Sequence, residues 1–75
     1  MLAKVGDLVK WYELYADEIV KDAGTGLVMN YKDINYFNGK YENKLYYIYR
    51  FKHYDIMTFI DRNLERLEEH QWLDV

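Results

Sequence analysis

The sequence predicts a small all-β barrel built from four or five short strands. Three observations carry that expectation. Runs rich in aromatic and β-branched residues alternate with turn residues along the whole chain. There is no proline and there are four glycines, so glycine and asparagine do the punctuating. The 75 residues are 51% hydrophobic and 19% aromatic, with nine tyrosines, too apolar for disorder. A chain this short buries only ~60% of the surface exposed on unfolding. With no cysteine it has neither disulfide nor thiolate metal site, so its core comes from apolar and aromatic side chains alone.

The elements follow in order. Gly6-Asp7 precedes Leu8-Val9-Lys10-Trp11-Tyr12, an expected first strand. Glu13 to Ala23 is acidic and mixed and is expected to be a long loop, ending at Gly24-Thr25-Gly26. Leu27 to Tyr31 reads as a second strand, and glycines just before it suggest close backbone approach or a bulge. Asn38-Gly39 is a tight-turn signal. It would cap an extension of two twisted strands, Ile34 to Phe37 and Lys40 to Glu42. Leu45 to Phe51 is the third strand, Lys52-His53-Tyr54-Asp55 a turn, and Ile56-Met57-Thr58-Phe59 a short fourth strand. Beyond it, Ile60, Leu64 and Leu67 have helical spacing and Asp61 could cap a helix. A lone helix that short is marginal, however. A single 3₁₀ turn over Asp61 to Asn63, followed by a short strand from Leu64, is preferred to a short helix within residues 61–68.

The run KLYYIYRF, residues 44–51, has two apolar faces. Alternation puts Leu45, Tyr47, Tyr49 and Phe51 on one side and Tyr46, Ile48 and Arg50 on the other. Composition makes the four-residue face the core.

Taken together, Val5-Gly6-Asp7-Leu8-Val9-Lys10-Trp11, Gly24-Thr25-Gly26-Leu27-Val28, Tyr46-Tyr47-Ile48-Tyr49-Arg50, Met57-Thr58-Phe59 and Leu64-Glu65-Arg66-Leu67 resemble the small SH3-like barrel proteins of tailed phages infecting marine cyanobacteria. The resemblance spans about Val5 to Leu67. It implies a five-stranded SH3-like fold with its core at about 5–67, while the length makes residues 1–75 one domain and the charge pattern makes 68–75 an acidic tail. The resemblance implies that Ile48 points inward, and this reading is preferred to the one from composition. Arg50 departs from the pattern, which often has an aromatic there. No catalytic residue comes with the resemblance.

The residues offer little for catalysis. Serine and cysteine are absent, and neither Thr25 nor Thr58 shows a paired base. His53 with Asp55 reads as an exposed turn histidine, and His70 as a tail residue. Gly24-x-Gly26 lacks the rest of any nucleotide-binding fingerprint and reads as strand geometry. No enzyme activity, cofactor or metal is expected. No apolar run approaches the ~20 residues of a membrane span, and the start lacks the long apolar core of a signal peptide. The expected protein is soluble and cytoplasmic, in the host cell if phage-encoded, with no membrane partner.

Three functions remain. The favoured one is a non-enzymatic interaction module that binds another protein through Tyr36, Tyr47, Tyr49, Phe51 and Tyr54, because tyrosine suits interface hot spots. The second is nucleic-acid binding through Lys40, Lys44, Arg50 and Lys52 interleaved with aromatics. Those four bases stand against Glu42 alone in residues 36–54, although the whole chain carries a net charge of −3 and a basic balance is usual for such proteins. The third is a structural homo-oligomer using Trp72 and the strand edges. A monomer is preferred.

Overall fold

The computed structural model describes residues 3–36 and 41–68, with backbone alone at 35, 36 and 41–43. Five strands, β1 (Leu8–Leu14), β2 (Val20–Tyr36), β3 (Tyr41–Arg50), β4 (Asp55–Ile60) and β5 (Leu64–Arg66), form one antiparallel sheet in the order β4-β3-β2-β1-β5. A 3₁₀ turn, Asp61–Asn63, joins β4 to β5. The turn-and-strand reading of this segment is therefore the observed one. Asn63 Nδ2 donates to the Tyr12 carbonyl at 3.1 Å, which fastens the turn to β1. The sheet is not closed: β4 and β5 are its edges and do not pair with each other. In this respect the structure departs from the barrel closure expected above.

The long loop expected over Glu13 to Ala23 is a second departure. β1 continues to Leu14 and β2 begins at Val20, so only residues 15–19 turn. The Tyr15 N–H donates to the Ile19 carbonyl and the Glu18 N–H to the Tyr15 carbonyl, both at 2.9 Å. Glu18 takes φ of +64°, and Asp17 Oδ1 accepts from the Ile19 N–H at 3.4 Å. An aspartate turn thus does what glycine does elsewhere.

β2 serves both halves of the sheet. Its first part pairs with β1 from Val20 to Leu27, and its second pairs with β3 from Gly26 to Tyr36, with a bulge at Met29. Gly24 and Gly26 lie inside this strand, not before it. A Cβ on Gly24 would stand 2.8 Å from Trp11 Cζ2, and one on Gly26 would stand 2.5 Å from the Tyr49 carbonyl oxygen and 2.6 Å from Ile48 Cγ2. The glycines let the core ring and the neighbouring strand lie directly against the β2 backbone.

The core gathers on one face from every strand: Val9, Trp11, Val28, Tyr46, Ile48, Phe59 and Leu64. Ile48 and Tyr46 are fully buried, whereas Tyr47 and Tyr49 are half-buried. Ile48 therefore points inward, and the four-residue face favoured by composition is the outer one. The Asn38-Gly39 turn lies outside the described residues, between the paired Tyr36 and Tyr41.

The backbone contact at Gly26 makes a sharp expectation. Gly26→Ala should lower the unfolding free energy by about 1–3 kcal/mol, the usual cost of overpacking, as read by urea titration. A variant as stable as the parent would mean that β2 and β3 separate freely at this point.

Candidate interaction surface

Directly opposed residues in an antiparallel pair share a face. The registers Leu8↔Leu27, Leu27↔Tyr49 and Tyr49↔Ile56 therefore draw a continuous apolar row across β1, β2, β3 and β4 on the face away from the core. None of these four residues is buried, and Ile56 is 57% exposed. Tyr47 stands beside this row on β3, opposite Thr58 of β4. Phe51 stands on its other side, its ring 5.8 Å from that of Tyr49 in an edge-on arrangement, which is favourable beyond simple burial. Along this row the outer face is thus aromatic and aliphatic where a single-faced sheet would be polar, while the adjacent Lys10–Thr25 pair on β1 and β2 is polar.

Of the five residues predicted for a protein contact, the structure brings Tyr47, Tyr49 and Phe51 together here. Tyr54 lies in the β3–β4 turn, 82% exposed with φ of +54°. The Tyr36 side chain lies outside the described residues, as do Lys40, His70 and Trp72. Leu8, Leu27 and Ile56 were not singled out from the sequence. Only the strand register unites them with Tyr49, and the signal available was their apolar character within three separate runs.

The basic residues behave differently. Arg50 is on the core face and only 8% exposed. Its Nε and Nη2 donate to the two Asp55 carboxylate oxygens at 2.7 and 2.6 Å. Glu13 Oε2 lies 4.0 Å away, and the guanidinium sits 5.0 Å from the Trp11 ring centre. Its hydrogen bonds with Asp55 raise the Arg50 pKa above its ordinary value and hold that of Asp55 below. The charge survives burial because it is paired, fork to fork. Lys52 is ion-paired with Asp22, and His53 Nε2 lies 2.7 Å from the other oxygen of the same carboxylate. Those two contacts, Lys52 first, pull the Asp22 carboxyl far below the carboxylate range. The His53 ring also lies 5.7 Å from Trp11. Lys44 Nζ stands 4.7 Å over the Tyr31 ring. Arg50 is thus turned inward, and Lys44 and Lys52 are already engaged.

Among the described residues no group of three histidine, aspartate or glutamate side chains could hold a metal ion, and no helix is long and apolar enough to cross a membrane. Comparison with protein-family models, with curated proteins and with solved structures returned no match.

Two paired carboxylates link the stability of the fold to acid pH. With folded pKa values below the ordinary 3.8, Asp22 and Asp55 bind protons more readily in the unfolded chain. Their contribution is complete above about pH 4 and is lost as the pH falls below it through the folded values. Urea midpoints measured from neutral to acid pH should therefore drop below about pH 4. In Asp22→Asn the drop should be shallower, from a lower stability at neutral pH. An unchanged profile would mean that the Asp22 contacts are too solvent-screened to matter.

Proposed function

We propose that this chain is a non-enzymatic interaction module that binds another protein through its outer sheet face, centred on Tyr49 with Tyr47, Phe51, Leu27 and Ile56. The carrying observation is the unburied Leu8–Leu27–Tyr49–Ile56 row spanning four strands. Such a patch on a small soluble domain marks a contact site more often than a free surface. Tyrosine brings a rigid ring and a hydroxyl to it at low entropic cost. An SH3-like arrangement is part of the same proposal. A long β2 shared between two halves and a 3₁₀ turn between β4 and β5 support it, as does the resemblance to the phage proteins.

Nucleic-acid binding has less support. It needs cations free to meet phosphates, whereas Arg50 is buried against Asp55 and Lys52 is paired with Asp22.

Selection from a displayed random-peptide library tests the proposal. Binders recovered on the parent chain should lose at least about tenfold in affinity, about 1.4 kcal/mol, on Tyr49→Asp and on Ile56→Asp. Circular dichroism should show both variants folded. Binders that ignore both changes would sink the assignment.

A further inference from the structure

We propose that β4 is a self-pairing edge, along which a second copy of this chain adds antiparallel to make one sheet continuous through two protomers. The two edges of the sheet are unlike. β5 has three residues, two of them charged, Glu65 and Arg66. Short, charged edges are the usual protection against pairing. β4 has six residues, Asp55–Ile60, with no lysine, proline, glycine or bulge. Its one charge, Asp55, is held by Arg50. Ile56 and Ile60 are 57% and 36% exposed, and Thr58 is exposed as well.

The hydrogen-bond phase of the sheet fixes which β4 groups face outward. The Phe51 N–H donates to Thr25 of β2, so alternate β3 residues, Tyr49 included, face β2. Arg50, Ile48 and Tyr46 then face β4, opposite Asp55, Met57 and Phe59. The remaining β4 residues, Ile56, Thr58 and Ile60, turn their N–H and C=O groups to the open edge.

A two-fold axis through Thr58 uses all of them. Thr58 would oppose Thr58 of the second copy, and Ile56 would oppose Ile60, each as a pair that exchanges both main-chain bonds. On the outer face this sets threonine against threonine and isoleucine against isoleucine. On the core side it sets Met57 against Phe59. Parity, hydrogen-bond phase and side-chain character thus agree on one register, and it is self-complementary, as an isologous interface requires. The pairing would end at Ile60, where the 3₁₀ turn leads the chain away. It would also extend the Leu8–Leu27–Tyr49–Ile56 row into the second protomer, so the inference is independent of which partner that row binds.

Sedimentation equilibrium of the full chain, from micromolar to millimolar, tests it together with amide exchange. A monomer–dimer equilibrium is expected, with the Ile56, Thr58 and Ile60 amides protected only in the dimer. Thr58→Lys places like charges across the axis and should shift the sample to monomer, with a thermal midpoint equal to the parent's at dilutions where the parent is itself monomeric. In the cysteine-free chain, Thr58→Cys should form a disulfide-linked dimer on oxidation, since hydrogen-bonded pairs sit about 5.5 Å apart at Cα, and Glu65→Cys should not. A monomer at all concentrations, a dimer untouched by Thr58→Lys, or preferential cross-linking through Glu65→Cys would each overturn the proposal.

Discussion

One side chain organises this structure: the Trp11 indole, lying against a glycine. The ring occupies the space where Gly24 would carry a side chain. Its N–H donates to the Thr25 carbonyl at 3.0 Å, so the polar end of the largest core residue is satisfied without water. Phe59 lies at 26° to it, 5.8 Å between centres. β1 and β4 are separated in the sheet by β2 and β3. For Phe59 to reach Trp11, the sheet must coil strongly about its inner face, in the sense that strand twist already favours. The glycines of β2 make that coil possible, and the 3₁₀ turn carries the chain across the gap the coil leaves.

The same ring explains why a charge sits in the core. At one end of the inner face the Arg50 guanidinium lies over Trp11, an arrangement attractive in itself. Asp55 meets it with two hydrogen bonds from the first residue of β4. Directly below, the β3–β4 turn is clasped to β2 by the contacts of Lys52 and His53 with Asp22. The cost of desolvating arginine is offset by this geometry. The outcome inverts the usual sheet, with a charged cluster inside one end and an apolar row outside.

The sequence made the strands legible where turn residues bounded them, and the 3₁₀ turn at Asp61–Asn63 because a helix there had too few residues to stand alone. It did not expose the faces of β3. Alternation divides Leu45 to Phe51 into two sets, but both sets are apolar, and an arginine on the buried set misleads any count by hydrophobicity. What decides the matter is non-local: Gly26 opposite Arg50 and Val28 opposite Ile48 leave room on one side only. The length of β1 was hidden for a related reason. Glu13 and Asp22 look like loop residues, yet they face each other across the β1–β2 ladder and are paired with bases, Lys21 and Lys52. For the candidate surface, Tyr47, Tyr49 and Phe51 could be read from one run. Leu27 and Ile56 could not, because cross-strand register rather than proximity in sequence makes them neighbours.

A domain of this size with two apolar faces has a solubility problem, and its tyrosine content is a physical answer to it. A tyrosine can cover its neighbour with the ring and keep the hydroxyl wet. Tyr12 does so beside β5, where its hydroxyl donates to Glu65 at 3.0 Å. Tyr47 and Tyr49 hold the middle of the outer face half-buried. Towards β4 the compromise stops. Ile56 and Ile60 are exposed with no polar tip, on a strand whose outward backbone groups have no neighbour among the described residues. At the opposite edge Glu65 and Arg66 supply charge. Apolar exposure and a long unpaired edge therefore coincide at β4, whereas the β5 edge is short and charged. That asymmetry is the physical ground for the contacts proposed at the Tyr49–Ile56 end of the row.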